Sequence, residues 1–167
     1  MELKQALERL NKLREYKDLI KGNNGIFFSY ALVTMEKNDA SPWQLGFYDK
    51  AADKITTFVI GKDEISVQKE EEVFKKPGME VKPIDMEKAK LKFDEIIKKA
   101  EKFKKEEYPK ESISKTIAIL QNIEDYGTIW NITFVTDSFK TLNLKINAEN
   151  GEIMHHNLES IMDFVKK

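Results

Sequence analysis

Two adjacent histidines, His155 and His156, are the first candidates for metal binding or acid-base chemistry, because the chain has no others. Neighbouring side chains on a strand point to opposite faces, so we do not expect this pair to share one metal ion. The acidic run Glu70-Glu71-Glu72 offers oxygen ligands, but a hard cation needs ligands that converge from several elements. The loop at 147–151 lacks the Asp-x-Asp spacing of a calcium loop. The sequence therefore predicts no metal site.

Catalytic motifs are equally scarce. The chain has no cysteine, which excludes disulfides, thiolate metal sites and a cysteine nucleophile. Neither a glycine-rich phosphate loop nor a nucleophile-elbow pattern occurs in the sequence. These observations predict a protein with no catalytic residue, no cofactor and no enzymatic activity.

Charge and hydropathy limit the classes of partner. Lysine and arginine number 28 against 29 aspartates and glutamates, so the formal charge is -1 and we expect no basic surface field. Only Arg9 and Arg14 are arginines, the residues best suited to phosphates and guanine edges, so we predict no nucleic-acid binding. No apolar run approaches the roughly 20 residues that span a bilayer. As written, the chain is expected to be soluble and cytoplasmic, or extracytoplasmic if a native signal or anchor precedes it.

The first half of the sequence predicts one helix followed by strands. Apolar residues recur at helical spacing over about 2–21, and glycines and asparagines then end the pattern. Strands are predicted where β-branched and aromatic residues alternate with polar ones, at 26–35, 43–49, 55–60 and 65–73. Prolines and a glycine at 75–83 predict a linker.

The second half repeats that order of elements. Asp85 is placed to cap a helix that runs to about Lys105, with Ile84 and Ala89 as a hydrophobic staple. The following strands are predicted at 113–121, 128–136, 139–148 and 152–156. Asn157 is predicted to cap a short C-terminal helix.

A local pattern recurs with an offset of 87 residues. Trp43, Leu45 and Phe47 match Trp130, Ile132 and Phe134, and Ile55, Thr57 and Val59 match Leu142, Leu144 and Ile146. Any two hairpins share alternation, because a period of two is easily matched, but here the chain's two tryptophans align as well. We therefore predict an α+β fold of two tandem repeats, 1–76 and 77–167. Each is an N-terminal helix on an antiparallel meander of three to four strands, and a short C-terminal helix follows.

The second half resembles a PepSY domain. The residues that carry the resemblance are the segment 83–89, the pattern Trp130-x-Ile132-x-Phe134 and the stretch LKINAENGEI at 144–153. The last hairpin of that family typically reads apolar-x-Val-Asp-Ala-x-Thr-Gly-Glu-Val, and Asn147 stands here in place of the aspartate. The resemblance covers about 83–156 directly and about 2–73 through the repeat. PepSY-like domains are non-catalytic modules of metallopeptidase propeptides and of secreted or membrane-attached bacterial proteins, so the resemblance implies binding or inhibition.

The strands predicted in the first half carry apolar residues at both odd and even positions, so both faces of their sheet should be apolar. If Trp43, Leu45 and Phe47 face the helix, the repeat offset of 87 places Ile55, Thr57 and Val59 on the same face. Phe58 and Ile60 alternate with these residues and are therefore predicted to lie on the opposite face. The predicted contact surface on that face consists of Tyr30, Tyr48, Phe58 and Ile60. An antiparallel sheet with one solvated face does not normally carry such residues, so the second half, a partner or second chain, or a small apolar ligand should cover them. The equivalent face of the second half is polar and is expected to be solvated.

Two function classes follow from these patterns. The first is a non-enzymatic binding or regulatory module that contacts a protein partner through a sheet face. The second is a cystatin-like domain that binds a small ligand or catalyses a reaction, with a pocket lined by Tyr30, Tyr48 and Phe58 and an acid such as Asp49. A strongly shifted pKa of a buried carboxylate in an open pocket would favour the second class, and a filled interior the first.

Overall fold

A computed structural model describes residues 1–72 and 79–162, with the backbone alone at 69–72. Its helices are α1 (Leu3–Leu10), α2 (Arg14–Ile20) and α3 (Phe93–Glu107), and a 3₁₀ turn at Met86–Lys88 precedes α3. The strands are β1 (Ile26–Glu36), β2 (Asp39–Ala40), β3 (Trp43–Asp49), β4 (Lys54–Ile60), β5 (Ile65–Glu72), β6 (Ile113–Ile123), β7 (Gly127–Thr136), β8 (Lys140–Asn147) and β9 (Ile153–Ser160). They form one antiparallel sheet in the order β5-β4-β3-β1-β6-β7-β8-β9, with β2 paired to β1. The α+β fold class is confirmed.

The helix predicted over 2–21 is two helices. At the end of α1 the backbone tightens, because Lys12 N donates to Arg9 O at 3.1 Å and Leu13 N donates to Leu10 O at 2.9 Å. Leu13 then takes an extended conformation and α2 begins at the next residue. Apolar contacts with the sheet resume after the break, since Tyr16 packs on it. Apolar spacing alone therefore did not reveal the interruption.

The helix predicted to follow Asp85 in the second half of the chain, α3, begins later than predicted. Asp85 does act as a cap, since its Oδ1 accepts from Glu87 N at 3.1 Å, but it caps the 3₁₀ turn rather than α3. The chain then leaves helical geometry at Ala89, and Leu91 N donates to Ala148 O at 3.2 Å. This bond ties the segment before α3 to the end of β8. The helix proper starts only at Phe93.

The C-terminal helix predicted from Asn157 is wrong over 157–160. These residues continue β9, because β8 offers ladder partners along its whole length, as far as the pair Lys140 and Ser160. In the part of the chain that the structure describes, only 161–162 are helical there, and 163–167 lie outside it. The end of the strand predicted to 73 and the domain boundary at 76 also lie outside the described residues.

The helices lie on one face of the sheet, which we call the inner face. Tyr16 of α2 packs on Phe47 and Phe58 with ring centroids 5.1 and 5.8 Å apart, and Phe93 of α3 contacts both tryptophans. The strand residues of this core are Ala31, Val33, Trp43, Leu45, Phe47, Phe58, Ile60, Ala118, Leu120, Trp130, Ile132, Phe134, Leu142, Leu144 and Ile146. They form one buried cluster that draws on both halves of the chain. Burial of this shared apolar surface is the main stabilising contribution.

Strand registers in the two halves correspond. Ala31 pairs with Leu45, and the residues 87 positions later, Ala118 and Ile132, also pair. β1 and β6 meet at the centre of the sheet, where Leu32 pairs with Ile119, again 87 positions later. The registers are therefore symmetric about the pair of Leu32 and Ile119.

The correspondence shifts by one residue at the next strand. Leu45 pairs with Phe58, whereas Ile132 pairs with Leu144, only 86 positions after Phe58. Four residues, 50–53, connect β3 to β4, but three residues, 137–139, connect β7 to β8. Successive side chains on a strand point to opposite faces of the sheet. A shift of one residue in the alignment therefore assigns each side chain to the other face. The predicted equivalence of Thr57 and Leu144 is therefore wrong.

Candidate binding surface

Two of the four residues predicted for the contact surface lie on the inner face instead. Phe58 pairs with Leu45 and Ile60 pairs with Trp43, so they share the face that the helices cover. Phe58 is 1% exposed and Ile60 is 0% exposed. Their predicted face is wrong because the turn before β4 is one residue longer than its counterpart.

Tyr30 and Tyr48 lie on the opposite face of the sheet, which we call the outer face. The Tyr30 ring crosses Gly46, and its hydroxyl lies 2.8 Å from Thr57 Oγ1 on the next strand. Tyr48 packs edge-on against Phe27 with ring centroids 5.5 Å apart, and its hydroxyl donates to Asp53. Both tyrosines are therefore fixed by neighbours within the first half. Whether they also contact a partner stays a prediction.

The pocket predicted for a cystatin-like site is not assembled. Phe58 lies on the inner face, whereas Tyr30 and Tyr48 lie on the outer face. Asp49 Oδ1 accepts from the backbone nitrogens of Ala51 and Ala52, so it stabilises its own turn. These four residues therefore do not line one cavity.

The centre of the outer face is aliphatic. One cross-strand row runs through Val59, Gln44, Leu32, Ile119, Asn131, Lys145 and His155. Leu32 and Ile119 are half-buried, as is Ile117 in the adjacent row. Among the described residues, the helices pack on the inner face only, so these aliphatic side chains have no helix above them. Sequence patterns do not reveal this patch, because it depends on the pairing of β1 with β6.

Towards β9 the outer face becomes polar and forms a network. Asn143 Nδ2 donates to Asn131 Oδ1 at 2.6 Å and to Thr133 Oγ1 at 3.1 Å. Lys145 Nζ donates to Asn143 Oδ1 at 3.1 Å and lies 5.6 Å from the centre of the Tyr126 ring. This region lines a shallow depression of about 370 Å³. Among the described residues, no carboxylate forms an ion pair with Lys145, and Glu159 lines the same depression.

The two histidines are separated by the sheet. His155 lies on the outer face, 6.5 Å from the Tyr126 ring, whereas His156 Nδ1 lies 2.6 Å from the hydroxyl of Tyr108 and packs beside Phe103. Across residues 1–72 and 79–162, no three His, Cys, Asp or Glu side chains come together to hold a metal ion. The side chains of the predicted acidic run at 70–72 lie outside the described part.

One acidic group is tied into the loops at the end of the sheet. Glu111 is 8% exposed, and its two oxygens accept from Lys140 Nζ at 2.8 Å and from Ser138 Oγ at 3.0 Å. The hydrogen bond from Lys140, more than that from Ser138, holds the pKa of Glu111 below its ordinary value of 4.5. The three groups fasten the turn before β8 to the start of β6.

We expect this network to contribute to acid sensitivity. A carboxyl whose pKa is lower in the folded chain stabilises it fully above the unfolded pKa, and the contribution is lost as pH falls through the folded pKa. Glu111→Gln should therefore flatten the fall in unfolding free energy below about pH 4.5, measured by urea denaturation at several pH values. Glu124→Gln, at an exposed position, is the control. Equal pH profiles for the two variants would contradict the assignment.

Comparisons with known proteins identify a fold. No protein-family model and no curated protein sequence matches the chain. A solved structure from Clostridium difficile 630, described as a "putative lipoprotein", matches with a TM-score of 0.55 and 13% sequence identity. The match covers 92% of this chain and 91% of that one. No helix in the described residues is long and apolar enough to cross a membrane. At this identity the likeness shows that the two chains share a fold.

Proposed function

We propose that the chain is a tandem duplication of one PepSY-like unit, with copies at 1–76 and 77–167. The support is the common order of strands and the register symmetry about Leu32 and Ile119. The tryptophans take corresponding places on the inner face, with ring centroids 6.2 Å apart. The two units differ in the turn before the third strand, as expected when the copies of a duplicated unit diverge in their loops.

We propose further that the protein is a non-enzymatic module that binds a protein partner through the outer face. The observation that carries this proposal is the aliphatic patch of Leu32, Ile117 and Ile119, which lies beside the polar network around Lys145. A partner that fits offers aliphatic side chains to the patch and a carboxylate to Lys145. The neighbour's description as a lipoprotein supports an extracytoplasmic location for this module, which is likewise a proposal.

Site-specific cross-linking tests the binding surface. We expect a photoreactive amino acid at Ile119 to give a discrete adduct with one protein in an extract of the source cells. The same group at Glu106, which is exposed on α3, should give none. Excess unmodified protein should suppress the adduct, whereas excess Ile119→Lys protein should not. Adducts from both positions, or none from either, would remove the outer face as a binding surface.

Charge reversal tests the stated chemistry of the partner. Lys145→Glu should weaken the adduct formed at Ile119, because the proposed partner places a carboxylate there. Lys102→Glu is the matched control, since Lys102 is exposed on α3 at the other side of the sheet. Equal effects of the two reversals would reject an acidic partner. An adduct with the mass of two copies of this chain would show that the outer face binds a second copy of the chain and not a different protein.

A further inference from the structure

β9 forms one edge of the sheet. Within residues 1–72 and 79–162 its only ladder partner is β8, and no other backbone group of the described chain bonds to its second side. The side chains at 154–157 and 159 are exposed. A free strand edge presents a row of unpaired backbone donors and acceptors, which pair readily with a further strand.

The backbone of β9 directs alternate residues towards this free edge. Just after the strand, Ile161 N donates to Phe139 O at 2.8 Å, on the side of β8. In a regular antiparallel strand the N–H groups alternate between the two sides, and β9 is regular over 155–160. The odd-numbered residues therefore bond to β8. His156 and Leu158 direct their N–H and C=O groups away from it.

The two edges of the sheet differ in charge. The sequence of β5 ends in Lys-Glu-Glu-Glu at 69–72, and charged residues on an edge strand oppose pairing with another chain. β9 contains neither lysine nor proline, and Glu159 is its only acidic residue. The edge at β9 is therefore the one suited to the addition of a strand.

The side chains of β9 make this edge complementary to a second copy of itself. If two copies of β9 run antiparallel about a two-fold axis at Asn157, His155 of one copy lies opposite Glu159 of the other. Both side chains line the depression on the outer face, where Glu159 Oε1 accepts from Asn157 Nδ2 at 2.7 Å. A histidine ring donates a hydrogen bond in either protonation state, and such pairs directly across two strands stabilise a sheet. A shift of two residues in either direction would remove this pairing.

We propose that the chain forms a two-fold dimer in which the β9 strands of two copies pair antiparallel about Asn157. His156 of each copy then exchanges both backbone hydrogen bonds with Leu158 of the other, and the two sheets become continuous. The polar depression beside Lys145 extends across the axis. This interface is separate from the aliphatic patch, because β7 and β8 lie between β6 and β9.

Engineered cysteines test the pairing, because the chain contains no cysteine of its own. The two copies of Asn157 would form a non-hydrogen-bonded pair with Cα atoms about 4.5 Å apart, a separation that a disulfide can bridge. Asn157→Cys should therefore give a covalent dimer with oxidised glutathione, seen on a non-reducing gel. Gln68→Cys, at an exposed position on β5, is the control and should stay monomeric. No dimer in Asn157→Cys, or equal linkage of the two variants, would overturn the proposal.

A mixture of two variants tests the register. His155→Cys and Glu159→Cys should link to each other when mixed, because these positions face one another across the axis. Glu159→Cys alone should not link, since its two copies are separated by four residues along the strand, or about 13 Å. Linkage of Glu159→Cys with itself as readily as with His155→Cys would show that the axis does not lie at Asn157.

Light scattering separates this dimer from association through the outer face. We expect the chain to have the mass of two copies at about 100 µM, and Asn157→Lys, which brings two lysines together at the axis, to be monomeric. Gln68→Lys, at the other edge, and Ile119→Lys, in the aliphatic patch, should both remain dimeric. A monomeric unmodified chain would overturn the proposal. So would a dimer that persists in Asn157→Lys but is lost in Ile119→Lys, whereas cross-linking of a different protein at Ile119 does not depend on β9.

Discussion

Replacing Phe58 by alanine is expected to lower the free energy of unfolding by about 3–5 kcal/mol, because it removes a large side chain from a filled core. Phe58 is 1% exposed and meets the rings of Tyr16 and Phe47, each with centroids 5.8 Å away. The cavity left behind lies beneath α2 and cannot be filled without moving that helix. Urea denaturation followed by circular dichroism measures the loss.

Phe139→Ala is the matched control for this prediction. Phe139 lies in the turn before β8 and is 70% exposed, so its truncation should change stability by no more than about 0.5 kcal/mol. If Phe58→Ala is no more destabilising than Phe139→Ala, then Phe58 faces solvent. The register of β3 with β4 would in that case differ by one residue from the one described here.

The face of Phe58 depends on the length of a turn. The strand KITTFVI carries apolar side chains at both parities, so its own alternation does not decide which set is buried. The four-residue connection at 50–53 sets the register, and Asp53 adopts a positive φ of 53° within it. The turn between β7 and β8 is one residue shorter. Aligning β4 with β8 at the constant offset of 87 therefore assigns each side chain of β4 to the wrong face of the sheet.

Elements with strong local patterns were predicted well. β1 and β3 were predicted to within a residue of their observed bounds, because their apolar and β-branched residues are bounded by turn residues. The extension of β9 to Ser160 was not predictable in the same way, because β8 supplies the partners that override the local helical pattern at 157–160. Tertiary pairing commonly overrides local propensity in this manner.

The candidate sites were the least predictable part. The aliphatic patch on the outer face forms where Leu32 of β1 meets Ile119 of β6, and no property of either strand alone identifies its neighbour. The path of the segment before α3 is also not predictable locally, because Asp85 caps the 3₁₀ turn and the bond from Leu91 N to Ala148 O then holds the chain outside the helix. Both features arise from contacts between residues that are distant in the sequence, whereas alternation and capping are local signals.

Gly46→Ala is expected to destabilise the chain by about 1–3 kcal/mol through overpacking. A Cβ at this position would lie 2.0 Å from Cε1 of the Tyr30 ring, and the ring could escape only by giving up its hydrogen bond with Thr57. The counterpart positions in the second half are Thr133 and Ile117, where no ring crosses the strand and a larger residue is accommodated. Thermal and urea denaturation both report the loss.

Two comparisons separate this overpacking from the general effect of replacing glycine. Gly25→Ala should be nearly neutral, because a Cβ there would meet only Asn23 Oδ1 at an ordinary 3.5 Å. In a Tyr30→Ala background the cost of Gly46→Ala should largely disappear, giving a coupling energy of about 0.5–3 kcal/mol in a double-mutant cycle. If Gly46→Ala costs the same with and without Tyr30, the ring does not lie over Gly46. The outer face of the first half would then be open at β3, and Tyr30 would be available for a contact outside its own sheet.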